Sequence, residues 1–542
     1  MKLKWYYKLM LSLISALLFC CGWSQWGLGP LVWIAFVPLL IIEEHDYINR
    51  QRFRTVNSFL WSFLSFLIWN AITTYWIYYS TVFGAIAAIF FLSLFMACVF
   101  WSVAIIKRKM GPRIGLLAFV SFWLSFEYLF MNSQISWPWL TLGNAFANNI
   151  TLIQWYEFTG HLGGSLWVLL LNVLIFLFVR DMFLLKKKPV NRKNLISLIL
   201  LILVPIGYSV VRYYTYSEKP DPVDIVVIQP NIDPYNEKFE TPSMDQLSDM
   251  LTLADQKMDS TVDVIVGPET AIPDGMWESE MDDERTIRYL KAYLQHYPKA
   301  VFIMGADTRD YYPDGVGKSE TAIAMGKTGN YYDLYNTALL IDTSPAIQAY
   351  HKSKLVPGVE MMPYPKLLGF LGDFAIDLGG MSGSHGVQAE RTPMQKSDGL
   401  KIGTAICYES AYGEFFAGFV KEGAGIMCVI TNDGWWGNTA GHRQHKSFSS
   451  LRAVETRRCI ARSANTGISC FVNQRGDILQ ATEWWKKDVI RATVNANDTL
   501  TFYTRYGDFL ARMSLVISGI LIVVFFMLGL MNLSKRSSRN PK

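Results

Sequence analysis

The sequence is poor in charge, and its few cysteines follow no pattern. Only 18% of the 542 residues are charged, whereas 51% are hydrophobic and 14% are aromatic, and the formal net charge is +5. A net charge this small gives no reason to expect a nucleic-acid partner. The seven cysteines show neither CxxC nor any other metal-ligand spacing, which argues against zinc and against a disulfide framework. The sequence therefore predicts free thiols and no zinc site.

Long apolar segments are what the sequence has in abundance. A membrane-spanning helix needs about 20 mostly apolar residues. Eight segments are candidates: 8–22, 26–43, 57–79, 83–106, 114–131, 163–184, 195–212 and 512–532. The first is not predicted to be a signal peptide, because no small-residue cleavage site follows it and another apolar segment comes at once.

The distribution of Lys and Arg predicts how these segments are oriented. Basic residues occur at the N-terminus, in 44–56, in 107–113, in 185–194 and in the C-terminal tail. The alternate connections, 23–26, 79–83 and 132–162, contain no Lys or Arg. Since cytoplasmic loops carry the excess of basic residues, both termini are predicted to be cytoplasmic, and the polar region between the last two spans lies on the far side.

The pattern predicts three parts. Residues 1–215 form a transmembrane region of seven helices, 216–508 a periplasmic domain, and 509–542 a final helix with a cytoplasmic tail. In the polar part, short β-branched runs alternate with amphipathic stretches, which favours a layered α/β sandwich. Predicted strands are 224–228, 263–266, 301–304, 321–325, 330–342, 347–352, 401–406, 426–431, 461–473 and 488–494, with helices at 243–258 and 283–296. The long apolar connection 357–386 is typical of a functional loop.

Three chemically versatile residues each follow a predicted strand. Cys407 stands at a strand-to-helix junction, where the amides of a helix beginning near Glu409 would favour the thiolate and bind an oxyanion. Glu269 could accept the thiol proton if its pKa is tuned towards neutrality. Lys352 could stabilise the negative charge of a tetrahedral intermediate. Taken singly, the three are better explained as an ordinary buried thiol, a solvated loop acid or helix cap, and a solvated surface lysine. Composition and periodicity do not combine them.

In these contexts and in this order, Glu269, Lys352 and Cys407 resemble the nitrilase superfamily. The resemblance implies an αββα sandwich and a reaction that passes through a cysteine acyl-enzyme. It also implies roles: Glu269 as general base, Lys352 as charge stabiliser, Cys407 as nucleophile and the Tyr408 backbone N–H as an oxyanion donor.

Two longer sequence motifs make the resemblance more specific, from the superfamily to one family. Tyr-His-Lys-Ser-Lys-Leu-Val-Pro at 350–357, followed by Glu360, and Asn-Asp-Gly-Trp-Trp-Gly at 432–437 resemble the apolipoprotein N-acyltransferase family. The eight-span layout resembles it too. The resemblance implies an essential active-site role for Glu360 and matches Tyr408 and Glu409 to the family's residues after the nucleophile. The candidates for the substrate pocket are Tyr235 and Phe239, where the family often has a tryptophan, and Trp435 and Trp436.

The activity that this resemblance implies is an acyl transfer in the bacterial inner membrane. The acyl chain would come from a phospholipid, form a thioester on Cys407, and pass to the α-amino group of the diacylglyceryl-cysteine that begins an apolipoprotein. Membrane lipids are thus expected partners, and the resemblance implies neither a metal nor an organic cofactor.

The sequence is also compatible with three other kinds of protein. A membrane-tethered amidase or nitrile hydrolase would send its thioester to water. A non-catalytic scaffold on a nitrilase fold would have lost part of the triad. A transporter would need paired intramembrane charges and broken symmetric helices, which the apolar segments lack. The cluster of His442, Arg443 and His445 offers no third metal ligand and is expected to cap or line a helix face.

Overall fold

The structure is a computed structural model, and it describes residues 3–23, 27–49, 55–185, 192–368 and 384–537. These residues fall into two compact units. The first comprises the described parts of Met1–Tyr75, Ala85–Val211 and Asp508–Lys542, and the second those of Trp76–Gly84 and Arg212–Gly507. Residues 369–383 of the connection 357–386 lie outside the described residues, as do 24–26 and several basic residues behind the predicted orientation: Arg50, Arg52, Arg54, Lys186, Lys187, Lys188, Arg539 and Lys542.

The first unit is helical. Its helices are α1 (Trp5–Gly22), α2 (Val37–Ile48), α3 (Thr55–Thr74), α4 (Val82–Met110), α5 (Pro112–Met131), α6 (Tyr156–Val179) and α7 (Arg192–Thr215). Within the described chain, seven segments are long and apolar enough to cross a membrane: Trp5–Gly22, Thr55–Tyr79, Val82–Met110, Pro112–Met131, Tyr156–Leu184, Arg192–Thr215 and Phe509–Met531. They coincide with seven of the eight predicted spans.

The segment predicted as the second span, 26–43, is not one long helix. A 3₁₀ turn over Gly29–Ile34 is followed by the 12-residue α2. Pro30 and Pro38 each lie in the first turn of their helix. Since proline lacks the N–H that a continuing helix needs and clashes with the preceding turn, Pro38 separates the two pieces. Hydropathy alone does not register this break.

The second unit contains two β-sheets. Its strands are β1 (Pro222–Gln229), β2 (Val264–Val266), β3 (Ile272–Trp277), β4 (Val301–Tyr312), β5 (Ile323–Ala324), β6 (Tyr331–Ile341), β7 (Gln348–His351), β8 (Met394–Gln395), β9 (Lys401–Ile406), β10 (Ile426–Thr431), β11 (Ile460–Ala464), β12 (Cys470–Val472), β13 (Ile478–Ala481) and β14 (Asp488–Asn495). Its helices are α8 (Ser243–Ala254), α9 (Arg285–Leu294), α10 (Pro365–Leu368), α11 (Gly413–Lys421), α12 (Ala440–Thr456) and α13 (Phe502–Tyr506). The chain then re-enters the first unit as α14 (Phe509–Ser537).

The strand order places the predicted strand ends close together. One sheet runs β14-β1-β2-β4-β6-β5, with β3 beside β4 and β7 beside β6, and the other runs β13-β12-β11-β10-β9-β8. The strands β1, β2 and β4 are parallel neighbours, as are β9, β10 and β11. Parallel neighbours end at the same edge of a sheet, so the residues that follow them gather there.

Helices cover the outer faces of the two sheets. Val226 and Ile228 of β1 pack in one apolar cluster with Leu247 of α8 and Leu290 of α9. The two sheets meet on the inner side, where the Ser463 hydroxyl of β11 donates to the Ile228 carbonyl at 2.7 Å. On the second sheet, α11 approaches Gly403 of β9 so closely that a Cβ there would lie 2.8 Å from the Cβ of Phe419. The predicted α/β sandwich is confirmed.

Candidate active site

The three residues singled out in the sequence meet at the ends of three strands. Glu269 follows β2, Lys352 follows β7 directly, and Cys407 follows β9 directly. A carboxylate oxygen of Glu269 lies 3.1 Å from Nζ of Lys352, and both charges act on the Cys407 thiol. The side chains are buried, with Glu269 6% and Lys352 1% exposed. The interpretation of Glu269 and Lys352 as solvated surface groups is therefore wrong.

Lys352 lies between two carboxylates. Its ammonium donates to Glu360 at 2.6 Å as well as to Glu269 at 3.1 Å. The other oxygen of Glu360 accepts from the Val356 N–H at 2.8 Å. Burial alone would lower the pKa of Lys352, but Glu269, Glu360 and Cys407 raise it well above its usual value. The site thus keeps a permanent positive charge beside the thiol.

The Glu269 carboxylate is held in its ionised form. Burial would raise its pKa, but the Lys352 ammonium, a 2.8 Å hydrogen bond from the Asn336 side chain and the Lys238 ammonium together lower it below the usual range. The expectation of a pKa tuned towards neutrality is therefore wrong. Two buried cations and an amide donor, contributed by distant parts of the chain, outweigh desolvation.

A close backbone approach shapes the turn that carries Glu269. A Cβ on Gly305 would lie 2.4 Å from the Thr270 nitrogen and 2.7 Å from Cα of Glu269, so only glycine fits there. Thr270 itself has φ = 48°, a left-handed conformation that β-branched residues rarely adopt. The strain persists because hydrogen bonds fix both sides of the turn, from Ala271 N–H to Gly305 and from Gly305 N–H to Pro268.

Cys407 lies on a strained turn of a different kind from the predicted one. The residues Cys407–Ala411 form a 3₁₀ turn, and the α-helix α11 begins only at Gly413, so the expected helix start near Glu409 is wrong. Cys407 has φ = 50°. Burial and the nearby Glu269 carboxylate raise the pKa of its thiol far above its usual value, against the opposing effect of Lys352. The resting residue is a neutral thiol, because a short turn supplies less dipole than a helix and desolvation dominates.

The carboxylate of Glu409 ties two parts of the site together. It accepts hydrogen bonds from the Tyr350 hydroxyl at 2.8 Å, from Ser353 N–H at 2.6 Å and from Ile406 N–H at 2.8 Å. Burial raises its pKa to about 7. All these donors belong to the segment around Lys352 or to the strand before Cys407, so Glu409 fixes their separation. Tyr408 is also buried, with its ring 5.2 Å from that of Tyr412.

A buried network that the sequence did not reveal contacts the backbone of the nucleophile. Asp433 contacts His445 Nδ1 at 2.8 Å and Arg462 at 2.6 Å, and Nε2 of His445 lies 3.0 Å from the Cys407 carbonyl oxygen. Burial lowers the pKa of His445. The expected helix-lining role fits His442, whose ring stacks 3.9 Å from that of Trp484, but His445 instead contacts the nucleophile's backbone.

The four pocket candidates are only partly brought together. The rings of Tyr235 and Trp435 lie 5.1 Å apart, and the Tyr235 hydroxyl donates to the carbonyl oxygens of Trp435 at 3.0 Å and Tyr79 at 3.2 Å. Trp436 packs 4.9 Å from Trp76. Phe239 is 65% exposed. The segment Trp76–Gly84, which includes the predicted connection 79–83 and the adjoining ends of two predicted spans, thus adds aromatic residues to this side of the domain.

Sequence reasoning missed three polar residues that act on Glu269: Lys238, Asp307 and Asn336. Asn336 lies inside β6 and Asp307 inside β4, where strand patterns carry no sign of a site. Lys238 lies in the loop that follows the Gln-Pro-Asn motif at 229–231. Its position in that loop was the one sequence signal that could have indicated a place near the site.

Comparison with known proteins matches two parts of the chain to two families. Residues 226–502 match the carbon-nitrogen hydrolase family, and residues 15–174 match the apolipoprotein N-acyltransferase N-terminal domain. The chain is similar to the apolipoprotein N-acyltransferase of Chlorobaculum tepidum, with 31% identity over 95% of this chain and 96% of that protein. It is similar to the one of Geobacter metallireducens, with 28% identity over 93% of this chain and 92% of that protein.

Among solved structures, a Saccharomyces cerevisiae member of branch 10 of the nitrilase superfamily is 14% identical, covering 54% of this chain and 96% of that one with a TM-score of 0.36. The two curated relatives span nearly the whole chain, membrane helices and catalytic domain alike. The chain therefore belongs to the apolipoprotein N-acyltransferase family.

Proposed function

We propose that this chain transfers an acyl group from a phospholipid to the α-amino group of the diacylglyceryl-cysteine at the N-terminus of apolipoproteins, by a ping-pong reaction through a thioester on Cys407. The observation that carries the proposal is the buried ion cluster in which Lys352 joins Glu269 and Glu360 beside that thiol. The family's name supplies the class of acceptor, and the cluster supports the chemistry.

In the first half-reaction, Cys407 attacks the ester carbonyl of the phospholipid. The C–S bond forms while the thiol proton passes to Glu269, and the negative charge on the carbonyl oxygen is stabilised by Lys352 and by the N–H of Tyr408. The C–O bond then breaks, and Glu269 returns the proton to the departing oxygen, which releases a lysophospholipid. Because the thiol pKa is raised and the Glu269 pKa is lowered, proton transfer is driven by formation of the C–S bond.

In the second half-reaction, the acceptor amine attacks the thioester. The N–C bond forms, the C–S bond breaks, and Glu269 carries the amine proton to the leaving thiolate, which restores the resting site. Glu360 orients Lys352 throughout, and Glu409 holds the two loops at their separation. Tyr235, Phe239, Trp435 and Trp436 remain the candidates for contact with the lipid parts of either substrate. The chemistry is complete with side chains and backbone alone.

We further propose that the protein is in the bacterial inner membrane, with both termini cytoplasmic and the catalytic domain periplasmic. Support comes from the alternation of Lys and Arg between connections and from the apolar helices of the first unit. The substrates of both half-reactions are lipids, and a catalytic domain tethered to the bilayer meets them at a high effective concentration.

The test is the intact mass of the purified full-length protein after incubation with phospholipid vesicles. The parent gains one acyl mass, which hydroxylamine removes and a diacylglyceryl peptide with a free N-terminus discharges. Cys407→Ala gains none. Cys428→Ala is the matched control, since Cys428 is also buried but lies within β10, and it acylates like the parent.

Two outcomes contradict the proposal. An adduct that decays in water at the same rate with and without the peptide identifies a hydrolase. An acyl mass that persists in Cys407→Ala places the thioester on another residue.

A further inference from the structure

A second lysine is buried at the site and is not used in the steps above. Lys238 lies in the loop between β1 and α8, next to exposed aromatic residues, yet it is only 4% exposed. Its Nζ donates to the main-chain oxygen of Glu269 at 3.0 Å. The loop is fixed around it, because Lys238 N–H donates to the Asp233 carbonyl at 3.0 Å and the Gln246 side chain donates to the Lys238 carbonyl at 2.8 Å.

Burying an ammonium group is costly unless opposite charges compensate. The groups that face Lys238 come from three elements: Glu269 after β2, Asp307 within β4 and Cys407 after β9. Burial lowers the pKa of Lys238 to about 8, although these three neighbours oppose the shift. Lys238 therefore carries a positive charge at neutral pH and loses it under mildly alkaline conditions.

Asp307 is the acidic partner of this lysine. Burial raises its pKa to about 7, against the effect of Lys238, and the carboxylates of Glu269 and Glu360 raise it further, while Arg309 opposes them. Burial thus favours the neutral form of Asp307. Lys352 and Lys238 are then the two cations that act on the Glu269 carboxylate.

The two lysines hold different atoms of the same residue. Lys352 contacts the carboxylate of Glu269, whereas Lys238 contacts its carbonyl oxygen. That carbonyl precedes Thr270, whose left-handed conformation needs external support. A neutral side chain at position 238 would leave the turn without this donor and the carboxylate with one positive neighbour instead of two.

We propose that Lys238 is a positioning residue of the acyl transfer, which fixes the turn that carries Glu269 and adds a second positive charge that keeps its carboxylate ionised beside Cys407. The inference rests on the proposed role of Glu269 as the base. Lys238 acts through Glu269: it bonds neither to the acyl group nor to the acceptor, and its own proton stays in place.

The test measures the rate of acyl-enzyme formation on the full-length protein with phospholipid vesicles between pH 3 and 9.5, a range that includes both limbs of the pH–rate profile. Lys238→Met keeps the length of the side chain and removes the charge. Loss of a nearby cation raises the pKa of a carboxylate, so the acid limb of the pH–rate profile moves upward by about one pH unit. The maximal rate falls by about tenfold or more, and Lys238→Arg returns the acid limb towards that of the parent.

The matched control is Lys396→Met. Lys396 is also 4% exposed and forms ion pairs with Asp398 at 2.5 Å and Asp263 at 3.4 Å. Asp263 precedes β2, whereas Glu269 follows it, so the control removes a buried lysine at the opposite end of that strand. Its pH–rate profile coincides with that of the parent.

If Lys238 has only a structural role, Lys238→Met slows acylation by the same factor at every pH and leaves the acid limb of the pH–rate profile in place. That result would overturn the inference. If that variant does not fold, Asp307→Asn replaces it. Loss of the acidic neighbour lowers the pKa of Lys238 further, so the alkaline limb moves to lower pH, and an unmoved limb overturns the inference. A parent protein without any acyl adduct overturns the proposed function, and this inference with it.

Discussion

The carboxylate of Glu409 accepts a 2.6 Å hydrogen bond from the backbone N–H of Ser353, which joins the loop after Lys352 to the turn of Cys407. The same carboxylate accepts from Ile406 N–H through its other oxygen. Both oxygens of Glu409 are thus occupied by donors on either side of the site. Its role is to hold the lysine and the nucleophile at a fixed distance.

Glu409→Gln tests this role. The amide nitrogen of glutamine would face a backbone N–H, so one buried donor loses its acceptor at a cost of about 1–3 kcal/mol. We expect a lower thermal denaturation midpoint and slower acyl-enzyme formation, measured on the same preparation by scanning calorimetry and intact mass. Glu422→Gln, on an exposed carboxylate after α11, is the control and changes neither. An unchanged midpoint in Glu409→Gln would contradict the bridging role.

Glu269→Gln separates the two influences of that residue on Cys407. Its negative charge raises the pKa of the thiol, so the neutral variant has more thiolate at a given pH. We expect iodoacetamide to label Cys407 faster in this variant than in the parent, while acylation by phospholipid falls about 100-fold or more because the base is lost. Peptide mass spectrometry reads the labelling, with Cys407→Ala as the blank. Slower labelling together with lost acylation would mean that Glu269 promotes the thiolate in the resting enzyme.

Asp433→Asn tests the buried network by its pH dependence. Burial would raise the pKa of Asp433, but Arg462 and His445 lower it well below its usual range. Because folding lowers the pKa of this carboxyl, its ionised form stabilises the folded state. This stabilisation is complete above the unfolded-state pKa near 3.8 and is lost as the pH falls from there towards the lower folded-state pKa. The variant is therefore less stable than the parent at pH 7, by about 3 kcal/mol, because a buried charge pair is broken.

The difference in the free energy of unfolding between the Asp433→Asn variant and the parent should become smaller below about pH 4. There the carboxyl of Asp433 in the parent begins to lose its stabilising charge. Urea denaturation at pH 7, 5 and 3.5 measures it. The exposed Asp498→Asn serves as control and follows the parent at every pH. A gap that stays constant down to pH 3.5 would show that the charge of Asp433 is not what stabilises the network.

Tyr235→Phe tests whether the aromatic side of the domain serves the acceptor. The lost hydroxyl joins the loop to Trp435 and to Tyr79, and a hydrogen bond of this kind contributes about 0.5–1.5 kcal/mol. We expect discharge of the acyl-enzyme to the diacylglyceryl peptide to slow by about threefold to tenfold, with acyl-enzyme formation unchanged. Tyr289→Phe, on a half-exposed ring of α9, alters neither rate. Equal slowing of both steps would assign Tyr235 to both substrates.

Much of the fold follows from local patterns. The strands β1, β2, β9 and β10 were predicted within two residues because buried parallel strands read as uninterrupted β-branched runs. By contrast, β4 was predicted only to residue 304, whereas it continues to Tyr312. Its second half is polar and is a strand because it pairs with β6, from Gly305 opposite Ala338 to Tyr312 opposite Tyr331. Pairing over that distance leaves no local pattern.

The sequence by itself determined seven of the eight predicted membrane segments and the α/β class, because hydropathy and strand periodicity are local properties. The residues Glu269, Lys352 and Cys407 were combined only by their resemblance to the motifs of a known family. The tertiary structure alone decided what surrounds them. Their protonation states depend on burial and on the groups that the fold brings beside them, such as Lys238 and Asn336 beside Glu269 and Asp433 near Cys407, which come from distant parts of the sequence. A pKa is set by three-dimensional distance and desolvation, and neither quantity is encoded in the order of residues along a short stretch of chain.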